Sequence, residues 1–294
     1  MNVLSLFDGY GSALVALKKS GLEVKNYYAS EIDQDAIKVA KDNHPEIIQL
    51  GDVKNWKSWD LPPIDLVLAG SPCQGFSSQG VHLNFDDPRS KLFFTFVDIL
   101  DALKPKHFML ENVIMSRKVW TDIITSHVGV SPVVIDSALV SAQTRKRNYW
   151  CSFPVKQPKD AQKTLKSVLT TDVDWKPAGI RGRKINPETG KRDDKNPDIP
   201  YQQYIRPVNK DKALCLTTAG KDSVISSLPE GLHLVKEYQQ GKDWRYFTVE
   251  ECEMLQTLPV GYTKSVSPAK AKKLIGNAWT IDVVVHILSQ MPKL

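Results

Sequence analysis

Over its first 150 residues the chain alternates short apolar runs with stretches of helical periodicity. Val3–Phe7 reads as a strand and Ser12–Ser20 as a helix. Tyr27–Ser30 is a second strand, and Gln34–Asn43 a helix started by Asp33. Ile48–Leu50 and Asp65–Ala69 follow as strands, Leu92–Leu103 as a helix, and His107–Leu110 as another strand. Strands separated by helices of this length form βαβ units, whose crossovers require parallel neighbours. The pattern predicts an α/β fold built on a doubly wound, mostly parallel sheet. Ligands of such sheets bind beyond the carboxyl ends of the strands, so residues just after a strand are the first candidates for chemistry.

The character changes after Phe153. Residues 176–205 are rich in Pro, Gly, Lys, Arg and Asn, which predicts a loop-rich segment without a core of its own. Regular pattern returns with Thr248–Leu258, whose Thr248-Val249-Glu250-Glu251 start has the form of a capping box. Ile281–Leu288 is a last apolar helix. Charge follows the same division. The net charge is +6, and residues 155–212, with 14 Lys/Arg against 8 Asp/Glu, account for all of it. One basic segment on a neutral body suggests a polyanionic partner, nucleic acid first, and a solvated surface loop is the alternative.

No apolar run reaches the roughly 18 residues that a membrane span needs. The amino terminus runs from a strand pattern straight into Asp8-Gly9 with no basic start or cleavage site, so it reads as structure and not as a signal peptide. The four cysteines (Cys73, Cys151, Cys215 and Cys252) form no C-x-x-C pair. Zinc and a disulfide framework are not expected, and a reducing cytoplasm fits.

Chemistry gathers at the predicted strand ends. Phe7-Asp8-Gly9-Tyr10-Gly11-Ser12 joins the first strand to the first helix, where glycines admit a ligand close to the backbone. Glu31 ends the second strand, with Ile32 after it, at the place where nucleoside-binding sheets hold ribose hydroxyls. Asp52, followed by Val53, lies after the third strand and could accept from an adenine amino group. Each acid alone is more often a cap or a surface charge; three at successive strand ends favour a nucleoside cofactor.

Cys73 lies in Gly70-Ser71-Pro72-Cys73-Gln74-Gly75, directly after Leu66-Val67-Leu68-Ala69. Pro72 fixes φ and Gly75 permits a tight turn, which would hold the thiol in position as a nucleophile, with a buried structural cysteine as the alternative. Glu111 follows Phe108-Met109-Leu110. Burial there disfavours the charged form of a carboxyl group, so that it can serve as a general acid or hydrogen-bond donor. In Gln143-Thr144-Arg145-Lys146-Arg147, strand geometry would point Arg145 and Arg147 the same way, toward a phosphate or a base carbonyl.

Taken in order, these segments resemble the DNA (cytosine-5) methyltransferase family across nearly the whole chain. Phe7–Gly11 resembles its S-adenosylmethionine turn and Gly70–Ser77 its nucleophile motif. Glu111-Asn112-Val113 is similar to its acid motif and Gln143–Arg147 to its Q-x-R-x-R motif. Arg206–Thr218 resembles the motif beside the target-recognition region, and Gly276-Asn277-Ala278-Trp279 the last cofactor motif. Phe7-Asp8-Gly9, Arg89–Phe94 and Trp279 lean towards the animal de novo branch, whereas Gln74 is the usual bacterial choice. Ser12 departs from the pattern by replacing a common glycine, and the stretch from Arg147 to Arg206 is short for a recognition region.

The resemblance implies a class I methyltransferase fold with residues 1–175 as the catalytic, cofactor-binding domain. Residues 176–246 would be a small target-recognition domain, and 247–294 would return to the catalytic domain. It implies S-adenosylmethionine as cofactor, held by Phe7, Asp8, Gly9, Gly11, Glu31, Ile32, Asp52, Val53, Pro72, Leu92, Asn277, Ala278 and Trp279. Double-stranded DNA would be the partner, met by Gln74, Ser77, Arg89, Gln143, Arg181, Arg183, Arg192 and Arg206, with no metal and no membrane. Residues 77–89 would be the loop that closes over the flipped base. Cys73 thiolate would add to cytosine C6 while Glu111 bonds N3 and Arg147 with Arg145 holds the base carbonyl. Methyl transfer to C5, loss of the C5 proton and departure of Cys73 would complete the reaction. A prokaryotic or phage-infected cytoplasm, with or without a cognate restriction endonuclease, fits so compact a chain. The alternatives are a transfer-RNA cytosine-5 methyltransferase on the same scaffold and a catalytically silent DNA-binding regulator. Ser71 before Pro72-Cys73 speaks against the first, and the presence of both thiol and acid against the second.

Overall fold

The computed structural model describes residues 1–70, 88–115, 117–169, 171 and 173–293, with the backbone alone at 88–90. Its larger sheet takes β1 (Asn2–Leu6), β2 (Asn26–Ser30), β3 (Ile48–Gln49), β4 (Leu66–Gly70), β5 (His107–Val113), β6 (Val133–Asp136) and β7 (Lys146–Cys151) in the order β3-β2-β1-β4-β5-β7-β6. The five strands from β3 to β5 are parallel, and β7 pairs antiparallel with both β5 and β6. Strand order reverses between β1 and β4, which opens a crevice at their carboxyl ends.

Alternate residues of the central strands feed two cores on opposite faces. Val3, Leu66, Leu68 and Met109 join a cluster with α1 (Ser12–Lys19), α2 (Gln34–Asn43), α5 (Val249–Leu255), α6 (Pro268–Asn277) and α7 (Ile281–Leu288). Leu4, Leu6, Val67 and Leu110 join the other with α3 (Pro88–Leu103) and α4 (Lys118–Val128). Burial on both faces explains why these strands read as continuous apolar runs. Trp150, wholly buried on β7, donates its indole N–H to Thr125 Oγ1 at 3.0 Å. Local signals fix the helix ends. Asp33 caps α2 by accepting from Asp35 and Ala36 N–H, and Thr248 with Glu251 forms a complete capping box on α5.

The second sheet corrects the expectation for residues 176–205. β8 (Lys176–Arg183), β9 (Gln202–Pro207), β10 (Val224–Ser226), β11 (His233–Leu234) and β12 (Trp244–Tyr246) form an antiparallel sheet, ordered β11-β9-β8-β10-β12. Ala178, Ile180, Ile205, Val224, Leu228 and Trp244 give it a small core. That core draws half its residues from beyond position 205, so the segment, whose β8 and β9 pair with each other, completes its core with strands outside itself. Only residues 184–201 run as turns and loops, including a hairpin closed by Ile185 and Arg192. Arg245 on β12 ties this sheet to α5 through a bidentate pair to the fully buried Glu251, both contacts at 2.7 Å.

Candidate active site

β1 delivers the first part of the site. The chain turns sharply after Leu6, with Phe7 at φ 57, Gly9 at φ 63 and Gly11 at φ 83. A side chain at Gly11 would meet both that left-handed backbone and Ile47 Cδ1 at 3.3 Å. Glu31, beyond β2, secures the turn: Oε2 accepts from Gly9 N at 2.8 Å, and Oε1 from Ile32 N and Asp33 N at 2.8 and 2.9 Å. Two carboxylate oxygens offer about four acceptor positions, so a ligand hydroxyl can still be received. Asp8 is buried beneath the turn and accepts from Tyr27 Oη at 2.5 Å. Burial pushes its carboxyl up to about 6, against the pull of the Ser5 and Tyr27 hydroxyls.

The second part comes from β5 and β7. Gly70 at the end of β4 stands in register with Glu111, which lies inside β5 and not after it, because the strand continues to Val113. Arg147 Nε reaches Glu111 Oε1 at 3.1 Å, and Trp279 Nε1 donates to Oε2 at 3.2 Å. Both oxygens of the acid are thereby held. Arg145 precedes β7 and lines the same cavity as Arg147, but its guanidinium is taken up by backbone carbonyls. Its Nη1 donates to Leu216 O at 2.8 Å and its Nη2 to Ala278 O at 2.9 Å and Gly276 O at 3.3 Å. This guanidinium clamps two loops that wall the site.

Gln143 is also displaced from its expected part in DNA binding. It is fully buried, donates to Leu255 O at 2.7 Å and Gln256 Oε1 at 2.8 Å, and accepts from Leu216 N at 3.3 Å. Gln256 in turn donates to Ile275 O and Ala278 O and accepts from Thr280 Oγ1. The network joins the Gln143–Arg147 segment to the Gly276–Trp279 loop from behind. Gly276 fits because any side chain there would strike the Thr217 carbonyl carbon at 2.5 Å.

These elements enclose a cavity of about 540 Å³. Of the expected cofactor residues, Phe7, Asp8, Gly9, Glu31, Asn277, Ala278 and Trp279 line it, beside Glu111, Arg145 and Arg147. Thr217, Thr218 and Asn112 line it too; they stood inside quoted motifs without being singled out. Gly11, Ile32, Asp52, Val53 and Leu92 do not line it. Ile32 is two-thirds exposed, Asp52 caps the turn after β3 through Lys54 N–H, Val53 is buried, and Leu92 packs against the α3 core. Pro72, Cys73, Gln74 and Ser77 lie outside the described residues, as does the side chain of Arg89. Burial pushes the thiols of Cys151 and Cys252 up to about 12, which leaves both inert as nucleophiles at neutral pH.

On the second sheet Arg181 is paired with Asp222, Arg192 with Asp194 in the hairpin, and Arg206 is exposed on β9. Arg183 ends β8 half-buried. Among the described residues no group of three or more His, Cys, Asp or Glu is placed to hold a metal ion, and no helix is long and apolar enough to cross a membrane.

The family model for C-5 cytosine-specific DNA methylases matches residues 1–293. The chain belongs to that family. A type II methyltransferase of Neisseria lactamica, M.NlaX, is 27% identical over 316 residues, covering 98% of this chain and 95% of the relative. M.NlaIV of the same organism is 44% identical over 98 residues, and the orphan methyltransferase M.Rho11sI of Bacillus phage rho11s is 42% identical over 115. Those two alignments cover 33% and 38% of the chain but only 23% of each relative. Among solved structures, a Spodoptera frugiperda DNMT2 mutant superposes with TM-score 0.64 at 22% identity, covering 98% of both chains. The S. pombe Dnmt2 methyltransferase gives 0.62 at 17%, covering 98% of this chain and 97% of its own. At such identities the likeness shows the fold, a class I methyltransferase sheet.

Proposed function

We propose that this member of the C-5 cytosine methylase family transfers a methyl group from S-adenosylmethionine to C5 of cytosine in double-stranded DNA, through a covalent Cys73 adduct. The observation that carries the reading is the meeting of a nucleoside-type turn, an anchored acid and an arginine in one cavity, at the sheet edge where β4 leads toward Cys73. The same cavity suits a cationic nucleoside: Glu31 offers acceptor positions, and Asp8 brings a buried carboxyl whose ionised form a nearby positive charge would stabilise. The cofactor supplies an electrophilic methyl group when bound.

The chain's own residues do the rest. Cytosine C5 is a poor nucleophile, so Cys73 thiolate adds to C6 and places electron density on C5. Glu111 bonds the base at N3, and Arg147, beside it, offers its remaining donors to the base carbonyl and the developing charge. After methyl transfer, loss of the C5 proton and expulsion of the Cys73 thiolate restore the aromatic ring. The target atom is stacked inside a duplex, so the base must flip into the cavity. Residues 1–175 with 247–294 form the catalytic domain in this reading, and residues 176–246 the recognition domain facing DNA.

A duplex carrying 5-fluorocytosine tests the reading, because fluorine at C5 cannot leave as a proton. With S-adenosylmethionine present, the wild-type chain should give a protein–DNA complex that survives denaturation, and Cys73→Ser none. A wild-type protein that turns over normal duplex yet forms no such complex would exclude the covalent route.

A further inference from the structure

Trp279 stands where two independent contacts converge. Its indole N–H donates to Glu111 Oε2 at 3.2 Å, and its ring lies against Gly70 so closely that a Cβ there would sit 2.8 Å from Nε1. Gly70 and Glu111 are register partners on β4 and β5, so the indole bridges the two strands beside the expected base site. The ring is 7% exposed, and its backbone is fixed from behind: Ala278 O accepts from both Arg145 Nη2 and Gln256 Nε2. A side chain held this firmly imposes its geometry on the softer one it bonds.

We infer that Trp279 is a positioning residue for Glu111: its indole N–H fixes the second carboxylate oxygen while Arg147 fixes the first, and the acid's plane is set for the incoming base. The inference rests on the reading of Glu111 as the base-binding acid and adds a role beyond lining the cofactor cavity. Without the indole donor, Glu111 keeps Arg147 but can rotate about that single contact. Misplacement by a fraction of an ångström then falls on the chemical step and not on cofactor binding.

Trp279→Phe keeps an aromatic ring at the position but deletes the indole N–H together with the part of the indole that lies nearest Gly70. Single-turnover methyl transfer on a duplex substrate should slow about 10- to 100-fold, as expected for lost positioning. The loss should fall mainly on the single-turnover rate, with a smaller change in the KM for DNA and the calorimetric affinity for S-adenosylmethionine, since the indole N–H itself is bonded to Glu111. Gly70→Ala approaches the same contact from the other side by displacing the indole, and should slow the chemical step in the same way. Either variant, once a thermal melt shows it folded, decides the matter. A wild-type single-turnover rate, or a loss found wholly in cofactor affinity, would overturn the inference. Glu111→Gln separates this failure from that of the underlying reading. If Glu111→Gln loses turnover while Trp279→Phe does not, only the positioning role falls; if Glu111→Gln stays active, the acid assignment itself falls.

Discussion

Arg147 Nε and Glu111 Oε1 lie 3.1 Å apart with both side chains largely out of water. The contact is a consequence of register. Val113 faces Arg147 and Glu111 faces Tyr149 across antiparallel β5 and β7, so Arg147 reaches the acid on the diagonal. A slip of one residue would turn Arg147 to the other face of the sheet.

Removing one partner of such a pair leaves the other charged and buried. Arg147→Ala should therefore lower stability by about 3–5 kcal/mol. It should also reduce kcat/KM by about 10²–10³-fold, the cost of losing one donor to developing charge. Arg147→Lys should recover part of the stability and little of the rate, because a lysine lacks the planar fork. Chemical denaturation and steady-state kinetics on the two variants check this.

Glu31 links the cofactor turn to β2 through three backbone N–H groups. Glu31→Ala should weaken S-adenosylmethionine binding by about 1.5–3 kcal/mol, the range for a hydrogen bond to a charged group. It should also lower the melting temperature, since Gly9, Ile32 and Asp33 lose their acceptor. Unchanged affinity by isothermal titration would show that Glu31 serves the turn alone.

Asp8 gives the account a pH dependence. Its carboxyl is at about 6 in the folded protein against an ordinary 3.8, so folding binds the proton more tightly. Stability from this group is complete below pH 4 and lost as pH rises through about 6, a difference of about 3 kcal/mol at 1.36 per unit. Asp8→Asn should therefore be more stable than wild type at pH 8, with the gain fading towards pH 4. A cationic cofactor favours the ionised carboxylate, so wild-type affinity should fall on acidification through pH 6 and the affinity of Asp8→Asn should not. Melting curves and titrations at pH 4, 6 and 8 read both effects.

The basic residues of the second sheet should divide into two groups. Arg181 and Arg192 each have a carboxylate partner on the surface, and such exposed pairs are weak enough to yield to a phosphate. Alanine at a phosphate-contacting position should lower affinity for every sequence and flatten the salt slope. Alanine at a base-reading position should relax the target, at about 1–3 kcal/mol of discrimination. Salt titrations and methylation maps for Arg181→Ala, Arg183→Ala, Arg192→Ala and Arg206→Ala sort the four. If all keep wild-type behaviour, recognition lies elsewhere on the sheet, with residues 219–244 next to be tested.

The doubly wound sheet was legible because strands buried on both faces must be continuously apolar, as Leu66-Val67-Leu68-Ala69 is. The α2 and α5 starts were legible because a cap is a local event, written at Asp33 and Thr248. The second sheet was not, since β8 reads Lys-Pro-Ala-Gly-Ile-Arg-Gly-Arg, and β10 beside it and β12 beyond that are three residues long. Neither periodicity nor propensity marks strands of that kind. At the site, Glu111 and Arg147 were visible as residue types, but their contact depends on antiparallel register that no local pattern encodes. Gln143 misled for the opposite reason: polar side chains are mostly exposed, and only a network with Gln256 and Leu216 explains its burial. The part of Arg145 as a loop clamp required the same long-range knowledge.

Bisulfite sequencing of DNA from a methylation-free host that expresses the chain, beside one expressing Cys73→Ser, tests the central claim most directly. The account predicts protected cytosines at one recurring sequence with the wild-type chain and complete conversion with Cys73→Ser. Complete conversion with a folded, cofactor-binding wild-type protein, or protection that persists in Cys73→Ser, would contradict it.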